Sequence, residues 1–298
     1  MSGRGAEMTP HAAKLQPLVR RVPTRGATDW LYERYFIGAR QRVQVEPSGD
    51  EAFVAELVAA CGDARVWQRG FTLARRVKRG AFVHGPVTLW VAERSTGVRP
   101  ASARVGEAVS VSVPCVREAA MTGFVGLYAR AGGTEHDEPH LKVYVNALPR
   151  GAVALFGALC SASELKTARF QAKALNHPRL YGRRDTALLY VRWSDAPRVV
   201  KWLGGFVRAH RAWFRDDVPP LTRRVGRGLA VAEAPFDTDE SFGAQRCRLI
   251  AEGLTTARHE RRAWNECVAE RFERAGLDWD RPWLGLSSER SRPRGGGG

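Results

Sequence analysis

The chain has 298 residues and a formal charge of +16, from 47 basic and 31 acidic side chains. At 44% apolar and 26% charged it has the make-up of a globular protein with a core of its own, which excludes a disordered or fibrous chain. No apolar run approaches the roughly 18–20 residues a membrane helix needs, and the start MSGRGAEMTPHAAKLQPLVRRVP lacks a signal-peptide core, so a cytoplasmic protein with no membrane partner is expected.

Residues 1–28 carry Gly, Pro, Arg and Thr without periodicity and read as a flexible tail. TDWLYERYFIGAR is helical in pattern, with Trp30, Leu31, Tyr35 and Gly38 near one side. DEAFVAELVAACGD predicts a helix N-capped by Asp50, its apolar face formed by Phe53, Val54, Leu57, Val58 and Cys61. AFVHGPVTLWVAE and EAVSVSVPCV alternate as half-buried strands, with a subdomain cut expected in the loop STGVRPASARVGE between them. HLKVYVNAL is a strand by its β-branched and aromatic content, and RGAVALFGALCSA a buried helix. ARFQAKAL and DTALLYVRW are strands separated by the turn-rich NHPRLYGRR. DAPRVVKWLGGFVRAHRAWF predicts a helix capped by Asp195, and SFGAQRCRLIAEGLTTARHERRAWNECVAERFERAG one long helix opened by Ser241. The end, residues 277–298, reads as a second disordered tail.

Strands and helices are mixed without β-α-β alternation, which predicts an α+β fold with a mixed, largely antiparallel sheet flanked by helices. The division expected is a helical and stranded subdomain over 29–105 and a catalytic region over 106–276.

Several familiar signals fail. GRGLAVAE has a G-x-G but neither a dinucleotide fingerprint nor a phosphate-loop lysine. HDEPH, with His136, Asp137, Glu138 and His140, sits between Gly- and Pro-containing turns rather than on a helix, so its histidines lack the spacing that converges on one zinc and no metal is assigned. The five cysteines, Cys61, Cys115, Cys160, Cys247 and Cys267, lie far apart with no C-x-x-C pair and read as reduced, buried thiols. Trp202, Phe206, Trp213 and Phe214 fit a helix core face better than a base-stacking platform, so nucleic acid is not the expected partner. The excess charge points instead to another anion, a phosphorylated group or an acidic peptide. Only six of the 47 basic residues are lysines, which draws attention to those few.

Three segments carry chemistry. HLKVYVNALP places Lys142, Tyr144 and Asn146 on one strand face. FQAKALNHPRLYGRRDTALLYV brings Lys173, then Arg183 and Arg184, then Tyr190. SFGAQRCRLIAEGL sets Arg246 in the first turns of a helix, near its positive end.

These segments resemble the HopA family, named for bacterial type III effectors and including the LanY lyase component of class V lanthipeptide and thioamitide biosynthesis. The resemblance rests on K-V-Y-V-N, on F-x-x-K followed by P-x-L-Y-x-R-R-D and a strand ending L-Y-V, and on the helix start S-F-G-x-x-R-C-R; it spans roughly residues 120 to 260. A more distant similarity is to effector-type phosphothreonine lyases, which carry a strand lysine, an arginine about a dozen residues on, and a strand tyrosine. Lys173, Arg184 and Tyr190 repeat that order. Where those lyases carry Lys-x-His on an earlier strand, this chain has Lys142 and Tyr144.

The resemblance implies a HopA-like, phosphothreonine-lyase-like fold and a metal- and cofactor-independent phosphoserine/phosphothreonine lyase. It would make dehydroalanine or dehydrobutyrine in a ribosomally synthesised precursor peptide, whose leader and phosphorylated core are its partners, together with a separate aminoglycoside-phosphotransferase-like kinase. Lys173 is then the base, its pKa lowered by burial and neighbouring arginines. Lys142, Tyr144 and Tyr190 assist proton transfer, and Arg183, Arg184 and Arg246 hold phosphate. The alternative is a non-catalytic HopA-like effector or leader-peptide-binding module.

Overall fold

The computed structural model describes residues 9–39, 43–77, 80–84, 88–92, 98–99, 102–134, 140–235, 238 and 240–285. Short helices α1 (Pro10–Leu15) and α2 (Ala27–Leu31), the latter prolonged by a π turn through Tyr32–Phe36, precede α3 (Glu51–Cys61). Asp50 caps α3 as the sequence predicts, its carboxylate accepting from the Phe53 N–H at 2.9 Å. Five strands follow: β1 (Arg65–Val77), β2 (Gly80–His84), β3 (Thr88–Ala92), β4 (Val98–Arg99) and β5 (Ala108–Pro114). They pair antiparallel in the order β3-β2-β1-β5-β4 around a small core of their own that includes Phe71, Leu73, Val83 and Val111.

The main sheet is built from β6 (Val116–Met121), β7 (Phe124–Tyr128), β8 (His140–Val145), then, after α4 (Pro149–Ser161), β9 (Phe170–Leu175) and β10 (Ala187–Arg192). Past α5 (Ala196–Ala209) come β11 (Arg223–Gly226) and β12 (Leu229–Glu233), followed by helices α6 (Phe242–Glu260) and α7 (Trp264–Arg274). The strand order is β11-β12-β8-β10-β9-β7-β6, with every neighbouring pair antiparallel. The chain is α+β, as expected from the sequence.

Side chains alternate across each strand, so this sheet has two unlike faces. Val143, Val145, Leu189, Val191, Ala172 and Ala174 pack with Leu57 of α3, Phe156 of α4 and Val199 of α5 in one core. On the other face Tyr144, Leu188, Ala230 and Ala232 pack with Leu31, Phe36, Phe242 and Ile250 in a second. That second layer covers β12, β8 and β10, but on β9 and β7 the same face carries Gln171, Lys173, Phe124 and Tyr128, all only partly buried. Lys173, one of the candidates from the sequence, sits along this margin.

Several expectations are corrected. Residues 9–28 are not a loose tail: Leu15 is fully buried, and the Tyr35 hydroxyl donates to the His11 carbonyl. At the other end Trp279 packs edge-on against His11 and Phe272, so the structure continues well past residue 276. The expected 29–105 subdomain is divided, because α2 and α3 join the main sheet and only β1–β5 form a separate layer. The long helix expected from Ser241 is two, broken at Arg261, a non-glycine residue at φ +54°. Asp195 stands at the N-cap of α5 as expected, but its carboxylate makes no capping bond and takes the Arg169 N–H and the Arg192 and Arg198 guanidiniums instead. GRGLAVAE is the β11–β12 hairpin, consistent with rejecting it as a nucleotide loop. His136, Asp137 and Glu138 lie outside the described residues.

Candidate active site

Two rows of directly opposed residues cross the main sheet at its partly open face. One runs Ala230, Tyr144, Leu188, Lys173, Gly126, and the other Ala232, Lys142, Tyr190, Gln171, Tyr128. Opposed residues of antiparallel strands share a face, so register alone brings together two lysines from β8 and β9 with the tyrosine of β10 between them. The Lys142 amine lies 5.4 Å and the Lys173 amine 5.5 Å from the Tyr190 ring centroid. Lys173 also stands 4.4 Å over the Phe124 ring and donates to the Met121 sulfur at 3.1 Å. Gly126, opposite Lys173, puts no side chain beside it.

Neither lysine keeps an ordinary amine pKa. Burial lowers Lys142 from 10.5 to about 8, and the charges of Lys173 and Arg246 push the same way. Burial also lowers Lys173 to about 8; Asp185 opposes that shift and Arg183 reinforces it. Tyr190 moves oppositely, to about 12, through burial and the negative charge of Asp185, so its hydroxyl stays protonated.

Arg183 is held by a two-bond fork to Asp185, Nε to Oδ1 at 2.8 Å and Nη2 to Oδ2 at 2.7 Å. Burial of this pair beside Lys173 makes Arg183 the guanidinium acting on that lysine. Tyr32, from the π turn, interacts electrostatically with Asp185, Arg183 and Tyr190. Burial and Asp185 raise its pKa, and its ring stacks on Phe36 at 5.7 Å. Gly243 of α6 permits this packing, since a Cβ there would lie 2.4 Å from Phe36 and 2.8 Å from Tyr32.

The other expected residues are placed differently. Arg184 turns toward the N-terminal helices, donating to the Tyr35 carbonyl at 2.7 Å and to Asp217 at 2.5 Å. Asp217 also accepts from Lys14. Gly38, at φ +68°, makes room for it: a Cβ would meet the Arg184 guanidinium at 2.7 Å. Arg246 is fully buried, donating to the carbonyls of Pro282 at 2.8 Å and Leu284 at 2.9 Å, with its charge over the Phe242 ring. Burial draws it down to about 10 against the pull of Tyr144 and Glu233. Tyr144 lies inside the second core, edge-on to Phe36, and burial raises its pKa rather than the neighbouring lysine lowering it. Asn146, which follows β8, spends its amide on the Asp217 carbonyl at 2.9 Å.

Sequence reasoning brought Lys142, Lys173, Tyr190 and Arg183 forward, and the structure assembles these. It offered Asp185 only as a turn partner of Arg183 and Arg184, a pairing that Arg183 makes, and it passed over Tyr32 and Phe124. The contribution of Tyr32, about 150 positions away, comes from helix docking that no local pattern encodes.

A pair of lysines on one face of a seven-stranded antiparallel sheet, with helices on both faces, defines an α+β protein with a cationic, partly desolvated group of side chains. The model of the HopA1 effector protein family matches residues 115–284, more than half of the chain, and the chain belongs to that family. Two solved structures share its fold. The effector protein from Pseudomonas syringae pv. tomato strain DC3000 is 14% identical, with a TM-score of 0.54 over 91% of this chain and 96% of its own. That from Pseudomonas syringae pv. syringae strain 61 is 15% identical, with the same TM-score over 93% of this chain and 99% of its own. No curated protein matches. Among the described residues no helix is long and apolar enough to cross a membrane.

Proposed function

We propose that the chain is a phosphoserine/phosphothreonine lyase acting on a phosphorylated precursor peptide in lanthipeptide-type biosynthesis, after a separate kinase has installed the phosphate. The observation that carries this reading is the pair of lysine amines flanking Tyr190, each with a pKa of about 8. Elimination needs one amine free as base and a neighbouring cation to hold a dianionic leaving group, and two coupled lysines near neutrality supply both states.

In this scheme neutral Lys173 takes the proton from Cα of the phosphorylated residue. The electron pair left behind forms the Cα–Cβ double bond as the bond from Cβ to the ester oxygen breaks, and phosphate leaves with that bonding pair. Protonated Lys142 and Arg183 face the phosphate, and the Tyr190 hydroxyl donates to the substrate carbonyl as negative charge builds on it. Arg184 and Arg246 hold the frame.

The test is mass spectrometry of a peptide carrying one phosphoserine, incubated with the purified protein. Loss of one phosphoric acid per site, with a thiol-reactive alkene left in the peptide, is the expected result. Binding of the phosphopeptide without any mass change would instead establish the non-catalytic module.

A further inference from the structure

Three cysteines far apart in the chain meet on the opposite side of the main sheet from the lysines. Cys61 ends α3, Cys115 joins β5 to β6, and Cys160 lies in the last turn of α4; all three are buried. Their Sγ atoms lie within 4.8 Å of one another, with Cys115 and Cys160 at 3.3 Å. A metal at about 2.3 Å from each sulfur would space them about 3.8 Å apart in a tetrahedron. The approach is built into the helices: a Cβ at Gly157, three residues before Cys160, would sit 2.9 Å from the Ala60 carbonyl, next to Cys61. Only glycine lets α3 and α4 come this close.

We propose that Cys61, Cys115 and Cys160 form a three-thiolate site for one soft d10 cation, zinc foremost, with the fourth position left to water or a small exogenous ligand. Such cations prefer thiolate sulfur, and each thiol releases its proton to solvent on binding. Three thiolates on a divalent ion leave one net negative charge, which Arg130 offsets. The bound ion ties α3 and α4 to the crossover between the two sheets, a structural role independent of the lysine pair.

The probe is Cd²⁺, titrated into reduced, metal-free, full-length protein and followed by its thiolate charge-transfer absorption and by native mass spectrometry. One Cd²⁺ per chain is expected, displaced by excess Zn²⁺, with the thermal midpoint raised by about 5 °C at a hundredfold excess over Kd. Cys115→Ser is expected to lose the absorption, whereas the double variant Cys247→Ser/Cys267→Ser, altered at the two distant buried cysteines, retains it. Wild-type protein without saturable uptake would overturn the site whatever the folding of the variants, as would one-to-one uptake persisting in Cys115→Ser.

Discussion

Lys142 and Lys173 reach the Tyr190 ring from the two strands on either side of it, at 5.4 and 5.5 Å, and each has its pKa drawn down to about 8. At pH 7 an amine with that pKa is about one-tenth in its free, basic form, where an ordinary lysine is almost entirely protonated. Because the two sites interact, their protons leave in steps that belong to the pair. The proposed elimination uses one lysine neutral and one charged. The rate is therefore expected to rise with pH toward 8 and fall above it as the second proton is lost. A bell-shaped kcat/KM profile centred near pH 8 is the outcome to look for. A rate that keeps climbing to pH 10 would show that no protonated amine takes part.

Which lysine is the base is open to direct substitution. Lys173→Ala and Lys173→Arg are both expected to lose elimination, since a guanidinium does not deprotonate in a protein. A drop of roughly 10²–10⁴ in rate is expected for each, with the fold intact because the Lys173 amine sits at the partly open margin of the sheet. Turnover retained by the arginine variant would remove Lys173 from that role.

The same shifts bear on stability. A cation whose pKa is depressed by folding costs stability wherever the unfolded chain holds the extra proton. That cost is full below about pH 8 for Lys142 and is relieved as pH rises toward its usual value of 10.5. Lys142→Met removes the buried charge and keeps the volume, so it is expected to stabilise the fold by roughly 2–3 kcal/mol at pH 7 while losing turnover. Denaturant unfolding at pH 7 and at pH 10 checks both parts: the gain should shrink at the higher pH. An equal gain at both would mean that packing, not charge, explains it.

The fold was more legible in the sequence than the site was. Strands β8, β9 and β10 fall where the sequence predicts strands, and reading them with period two already put Lys142, Tyr144, Lys173 and Tyr190 on strand faces. Strand β1 was missed because its register shifts between Gln68 and Phe71, which breaks the alternation where arginines already blur it. The joint between α6 and α7 was missed because Arg261 takes a left-handed conformation without the glycine that usually marks one. Arg184 and Arg246 looked like phosphate ligands, but what fixes them is long-range. One answers carbonyls of the N-terminal helices, and the other those of the C-terminal segment.

That placement separates the arginines experimentally. Arg183→Ala is expected to weaken a phosphopeptide more than its unphosphorylated form, by a factor of about 10, because its charge acts on Lys173. Arg246→Ala leaves the Pro282 and Leu284 carbonyls without their donor and opens a cavity beneath α6. It is expected to cost roughly 2–4 kcal/mol of stability, read by denaturant titration, with no preference between the two peptides. A selective loss of phosphopeptide binding by a stably folded Arg246 variant would restore it as a ligand.

The two tyrosines offer the sharpest contrast. Tyr144 and Tyr190 occupy adjacent strands and the same sheet face, and both hydroxyls are raised in pKa by burial. They differ in what surrounds them. Tyr144 is enclosed by Phe36 and Phe242, so a substrate has no route to its hydroxyl, whereas Tyr190 is half-buried between the two amines. A phenol at about 12 is a poor donor of a whole proton near pH 8 but a good hydrogen-bond donor to an oxygen gaining negative charge. Tyr190→Phe is therefore expected to lower kcat by about 10²-fold with little change in KM, since the bond it removes strengthens only as charge develops. Tyr144→Phe, at the position where the effector-type lyases carry a histidine, is expected to turn over within a few-fold of wild type. If Tyr144→Phe were the slow variant and Tyr190→Phe the normal one, both folded, the second core would have to open to admit substrate and the roles of the two tyrosines would exchange.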